Sequence, residues 1–365
     1  MSILFSPLKL RGLTLPNRVV ISPMCQYSAV EGSAQPWHMM HLGTMSLSGA
    51  GMLIIEATAV EPQGRITPGD LGLYNDQNQA ALEPVIAAIR KHSTTAIVMQ
   101  IAHAGRKASC RVPWEGGTQL PLAAGGWTTF APSAIAQTDQ DAPPAALDHA
   151  GLARIREAFA ATAKRAMDLG LDGVEVHGAH GYLMHSFLSP ITNRRTDEYG
   201  GNLANRMRFP LEVFDAVRAV VPSDKPVGIR VSASDWIEGG WDVEQTIALA
   251  QELKARGVDW IDVSSGGLSP AQKIALGPGY QVPFAEAIKK ATGLTTMSVG
   301  LITEAKQAED ILVSGKADFI ALARGVLYDP RWPWHAAAEL GATVTAAPQY
   351  WRAPPHDHKD LFAVK

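Results

Sequence analysis

The chain reads as an α/β protein with the eightfold strand–helix alternation of a (β/α)8 TIM barrel. Three observations carry that reading. The alternation repeats eight times, no linker divides the 365 residues, and polar residues gather where the strand-like runs end. The runs are 19–22, 52–56, 96–101, 174–177, 227–231, 260–264, 295–299 and 319–322, all short, apolar and rich in β-branched residues. Helical apolar spacing fills 38–48, 77–91, 148–169, 203–220, 243–256, 284–291 and 304–314, and 329–340 follows the last strand. A doubly wound sheet shows the same alternation, so closure is an expectation.

The fourth unit is the clearest. Asp148 is an N-cap, Leu152, Ile155, Phe159, Ala163, Ala166 and Met167 follow at helical spacing, and Gly170 stops the helix. Gly173 to His177 then alternates as a buried strand, which releases His177, His180 and Tyr182 at its end. Ahead of the first unit, 3–5, 8–10 and 13–15 suggest a short N-terminal hairpin lid. Long connections after strands three and four (102–147 and 178–202) hold paired glycines and prolines and suit functional loops. The tail from about 341 to 365 is rich in proline and aromatic residues, suited to reaching a neighbouring subunit or to fraying. The expectation is one domain over 1–365.

Composition narrows the function classes. With 46% hydrophobic and 18% charged residues the chain is globular, and a net charge of −3 without a basic run argues against nucleic acid or membrane surfaces. No window approaches a spanning length, and neither signal segment nor disulfide framework is evident. Two cysteines, Cys25 and Cys110, suit reduced thiols in the cytoplasm.

Residues at the C-terminal strand ends of a barrel face one site and can be read as a set. Here they are Pro23-Met24-Cys25, Ala57, Gln100, His177 with His180 and Tyr182, Arg230, Ser264-Ser265, Gly300, and Ala323-Arg324-Gly325. Small residues after strands seven and eight, beside the fork of Arg324, suit a phosphate. A phosphorylated ligand would then span the mouth, with Gln100 and Arg230 beside its ring portion. His177 and His180 alone are equally compatible with structural histidines, or with a zinc site that finds no third ligand at metal-like spacing. His38 and His41 read as one helix face, and Cys25 as a small buried residue. Gly277-Pro278-Gly279 lacks the third glycine of a dinucleotide turn, and no P-loop or nucleophile elbow appears.

Four motifs occur in order: Ser22-Pro23-Met24-Cys25-Gln26-Tyr27, Gln100-Ile101-Ala102-His103-Ala104-Gly105-Arg106-Lys107, His177-Gly178-Ala179-His180-Gly181-Tyr182, and the run from Asn193 to Asn202. With them the chain resembles the old yellow enzyme family of FMN-dependent ene-reductases, in particular the bacterial, xenobiotic reductase-like subclass with a cysteine in the first motif. The resemblance implies that Ser22, Pro23, Met24 and Ala57 pack beside a non-covalently held FMN and that Cys25 tunes it. Gln100 and Arg230 would meet its pyrimidine edge, and Gly300, Ala323 and Arg324 its phosphate. Ala323 stands where relatives commonly carry glycine. Tyr27, His177, His180 and Tyr182 would face substrate, Lys107 would line the mouth, and Arg352 would enter a neighbour's site in a homodimer or homotetramer. The implied activity is NADPH- or NADH-dependent reduction of the C=C bond of α,β-unsaturated carbonyl and nitro compounds by a ping-pong scheme. Hydride would pass from FMN N5 to the β-carbon, and a proton from Tyr182 to the α-carbon. Two alternatives stand beside it. One is a flavin-free (β/α)8 lyase or aldolase on a phosphorylated substrate, although no Schiff-base lysine ends strand six. The other is an FMN-binding protein without turnover.

Overall fold

Eight strands close into one parallel barrel in the computed structural model, which describes residues 2–363. They are β1 (Val19–Ile21), β2 (Met52–Ala59), β3 (Ala96–Ala102), β4 (Gly173–Gly178), β5 (Val227–Ser232), β6 (Trp260–Ser264), β7 (Thr296–Ser298) and β8 (Phe319–Leu322). Each pairs with its neighbour in chain order and β8 returns to β1, so the barrel expectation holds and the open doubly wound sheet is excluded. The outer helices are α1 (Pro36–Ser46), α2 (Asp76–His92), α3 (His149–Asp168), α4 (Leu203–Val220), α5 (Val243–Ala255), α6 (Val282–Thr292), α7 (Ala305–Val313) and α8 (Trp332–Glu339). Local chemistry starts four of them. The side chains of Asn75, Asp148, Asn202 and Asp242 each accept the backbone N–H three residues on, satisfying a donor the helix cannot.

Strand alternation divides the core in two. Outward residues such as Ile21, Leu53, Ile97, Val174, Ile229 and Ile261 pack against Leu82, Phe159, Phe214 and Leu249 of the helices. Inward residues Val20, Met52, Ile54, Val98, Trp260, Met297 and Phe319 fill the N-terminal half of the barrel. The hairpin of Leu8–Leu10 and Leu13–Leu15 closes that end with Leu10 and Leu15. Each buried leucine contributes about 1.5–3 kcal/mol. The lid therefore plugs the bottom of the barrel, away from the C-terminal mouth.

Further along the same strands the inward positions turn polar, with Gln100, Glu175, Arg230 and Asp262 all buried. That change of chemistry makes the upper half of the barrel a site. Above it, the connection after β3 is built from short 3-10 turns, including Gly105–Lys107 and Pro113–Glu115, and the one after β4 carries a helix over Leu183–Leu188. The tail packs on α8, where Trp334 meets Phe362 and Tyr350 edge-on at 4.7 and 5.6 Å. No helix among the described residues is long and apolar enough to cross a membrane.

Candidate functional site

β4 delivers His177 as its last inward side chain, beside Arg230 in the β4–β5 register. The Nδ1 of His177 accepts the Ala179 N–H at 3.3 Å, which leaves the ring proton on Nε2. His180 adopts φ +60°, its N–H donating to Ser232 Oγ at 2.9 Å. Gly181 follows at φ +75°, and a Cβ there would lie 2.3 Å from the Gly267 carbonyl, so only glycine lets the two loops meet. The rings of His180 and Tyr182 stand edge-on to His177 at 5.1 and 5.0 Å. Burial, reinforced by the Arg230 charge, holds both imidazoles well below their ordinary range, so both are neutral. Burial also pushes the Tyr182 phenol well up. His180 differs from the expected pair in one respect: its Nε2 lies 2.8 Å from Ser264 Oγ, whereas no partner is found for His177 Nε2 among the described residues.

Behind this loop sits a buried pair that sequence reading missed. His185 Nδ1 accepts the Gly181 N–H at 2.9 Å, and its Nε2 lies 2.8 Å from Asp235. Asp235 also accepts Ser189 Oγ at 2.6 Å and the Trp241 N–H at 2.7 Å. Burial would raise its carboxyl, but the facing His185 ring and the Ser189 bond outweigh that and hold it low. The pair pins the turn carrying His180 and Tyr182. Asp235→Ala, which strands the Ser189 hydroxyl and the Trp241 N–H and removes the carboxylate facing His185, is expected to cost about 3–5 kcal/mol in urea unfolding. The only signal in the sequence is a histidine eight residues after His177.

In the layer below, Glu175 accepts from Gln100 Nε2 and Trp260 Nε1, both at 2.9 Å. Arg230 Nε lies 3.0 Å from Asp262 Oδ2, in a geometry that leaves Nε without a hydrogen bond. Burial raises both carboxyls, Arg230 opposing it. At the end of β1, Ser22 Oγ is buried without a partner. Cys25 is partly buried, and burial followed by the Asp70 and Glu56 charges pushes its thiol well up. A neutral thiol is no nucleophile. Ala57 sits in the β2 irregularity between Ile55 and Thr58. Tyr27 takes φ +52° and packs edge-on to Trp114 at 5.7 Å.

Across the mouth, Arg230, Ser264, Gly300, Ala323 and Arg324 line one cavity of ≈ 430 Å³ together with Tyr280 and Gln281, which sequence reading passed over. Gly300 has φ +115°, and a Cβ there would press on Gln281 Nε2 at 2.7 Å. The helix Arg324–Tyr328 begins at this cavity, and Arg324 is exposed. One candidate lies elsewhere. Arg352 is exposed on the tail, whose residues Thr345 and Ala346 share a cavity with Ser46, Ala50 and Thr95, where β2 and β3 begin. That is the other end of the barrel from His177.

The sequence profile of the NADH:flavin oxidoreductase / NADH oxidase family matches residues 3–342. The chain belongs to that family, the old yellow enzymes. Among relatives, the NADPH dehydrogenase of Geobacillus sp. strain WCH70 is 44% identical over 353 residues, covering 96% of this chain and 98% of the relative. Morphinone reductase superposes with a TM-score of 0.77 at 28% identity, over 100% of this chain and 94% of that one. A 2-naphthoyl-CoA reductase complex gives a TM-score of 0.83 over 93% of this chain. The chain spans only 52% of that protein, and at 24% identity the likeness shows the fold alone. This old yellow enzyme is thus a flavin-dependent oxidoreductase that uses FMN and NAD(P)H. The flavin-free lyase and the inert flavin carrier both fall with that membership. Its own residues fit the cofactor: the unpartnered Ser22 hydroxyl and Arg230 Nε are donors awaiting an acceptor, and Gly300 leaves open a cradle that a Cβ would narrow.

Proposed function

We propose that this old yellow enzyme reduces the activated C=C bond of α,β-unsaturated carbonyl and nitro compounds, with NADPH or NADH as reductant in a ping-pong scheme. The observation that carries the reading is a neutral His177 with its free Nε2–H in the mouth, edge-on to the protonated phenol of Tyr182. Bound FMN supplies hydride chemistry, inward from the nicotinamide and outward to the alkene β-carbon.

The chain's own residues supply the rest. Hydride arriving at the β-carbon leaves negative charge on the activating oxygen. His177 and His180 donate to that oxygen and bind it more tightly as the charge grows, the differential stabilisation that lowers a barrier. His180 exchanges its Ser264 contact for this role. Tyr182 gives its proton to the α-carbon, Tyr27 adds a hydrogen bond, and Lys107 lines the mouth. Lys107 Nζ donates to the carbonyls of His180 and Gly267 at 2.8 and 2.9 Å, tying the two loops together. Ser22, Pro23, Met24, Cys25 and Ala57 would flank the flavin, Gln100 and Arg230 hold its pyrimidine edge, and Gly300, Ala323 and Arg324 its phosphate. Arg352, remote from its own mouth, would complete a neighbour's site in a homodimer or homotetramer. The two free thiols support a cytoplasmic setting for a one-domain enzyme.

The purified protein is expected to be yellow, to bleach anaerobically with NADPH and to recolour on addition of a cyclic enone. Bleaching without recolouring by any enone or nitroalkene would refute the substrate class while leaving the flavin chemistry intact.

A further inference from the structure

The site does not end at Tyr182. The connection after β3 folds over the mouth and encloses a second cavity of ≈ 410 Å³, lined by Tyr27, Arg106, Lys107, Arg111, Gln137 and Asp141 among others. Lys107 joins the two spaces, since its Nζ stands 5.2 Å over the Tyr182 ring. The wall is strongly cationic. The Lys107 ammonium donates only to carbonyls, and Arg106 donates to the carbonyls of Ile135, Ala136 and Leu268. Arg106 is 4% exposed, and its Nε has no partner. The half-buried guanidinium of Arg111 makes neither hydrogen bond nor ion pair among the described residues; only its backbone N–H is engaged, with Thr118. Opposite these three cations the lining holds one carboxylate, Asp141, whose Oδ2 already accepts the N–H and hydroxyl of Thr138.

We propose that this chamber is an oxyanion subsite, taking a carboxylate or phosphate carried by the molecule whose reactive end lies at Tyr182. The inference rests on the ene-reductase reading of that residue. The hydrogen bonds of Lys107 and Arg106 go only to carbonyls, Asp235 and Asp141 acting on Arg106 through charge alone, and an arriving oxyanion supplies further negative charge and acceptors for the free N–H groups. The titration of the group agrees. Burial, then mutual repulsion with Arg106, lowers Lys107 to about 8, and burial lowers Arg106 to about 10. Cys110 is raised to about 11 by burial, so the thiol on this wall adds no charge. Asp70, behind the cavity, is raised by burial to about 7 and is only partly ionised at neutrality.

Two molecules can carry the anion: an alkene with an acidic tail, or the reductant through the 2′-phosphate that NADPH has and NADH lacks. The holoenzyme and its Arg111→Gln and Arg111→Glu variants separate them. In the oxidative half-reaction, a cyclic enone bearing a carboxyalkyl chain of three to five methylenes is compared with its methyl ester. In the reductive half-reaction, NADPH is compared with NADH. A fall of about tenfold in the acid-to-ester ratio of kcat/KM, larger for Glu than for Gln, supports a substrate tail, being the loss of one charge-assisted contact. The same fall in the NADPH-to-NADH ratio supports the reductant's phosphate. Both ratios unchanged in both variants overturns the subsite, and turnover of the neutral ester by the unmodified enzyme shows that the parent reading survives. If the unmodified enzyme reduces no enone, the parent reading fails, and the NADPH-to-NADH arm still decides the chamber.

Discussion

Tyr182→Phe should slow the oxidative half-reaction by about 10²–10⁴-fold while NADPH reduces the variant at close to the unmodified rate. The phenol stands edge-on to His177 at 5.0 Å, and burial keeps it protonated well beyond neutrality. It can therefore act as an acid at any working pH below its raised pKa. Phenylalanine keeps the ring's shape and packing, so flavin content and the reductive half-reaction serve as controls. Stopped-flow absorbance of the two half-reactions makes the measurement. Equal damage to both would assign Tyr182 to structure rather than to proton transfer.

His177→Ala should lower the oxidative rate constant by about 10²–10³-fold, the usual cost of one oxyanion donor. It should also weaken binding of phenolate ligands, which place their oxygen where the developing charge would sit. The physical basis is the free Nε2–H of a neutral ring whose Nδ1 is tied to the Ala179 N–H. Because burial and then Arg230 hold that ring's pKa well below its ordinary range, the phenolate affinity of the unmodified enzyme should not rise through protonation of His177 near pH 6. Unchanged phenolate affinity in the alanine variant would remove His177 from the oxygen site. His180→Ala is the informative companion, because Ser264 competes for His180 Nε2 in this structure.

Much of this enzyme was legible in its sequence because the relevant signals are local. The cap at Asp148 lies next to the helix it starts, and β-branched alternation marks β4 and β5 without knowledge of their neighbours. Pro84 and Pro210 sit inside α2 and α4, and the apolar spacing continues through both. The candidate groups at the ends of β1, β3, β4, β5, β7 and β8 were readable because parallel strands in a closed barrel all end on one face.

Partnerships across the barrel were not legible. Glu175 reads only as a polar residue in a strand, but in three dimensions it joins Gln100, 75 residues earlier, to Trp260, 85 residues later. Asp235 lies in an unremarkable loop until it meets His185. The hairpin's place at the bottom of the barrel, the remoteness of Arg352 from its own mouth, and the cationic chamber behind Tyr182 belong to the same class. The sequence by itself determined the elements, their order and the residues capable of chemistry, since periodicity, capping and turn residues act over a few positions. Only the tertiary structure decided which buried donors found acceptors and which charges were left without partners. Those outcomes depend on strand register and loop packing between residues far apart in the chain.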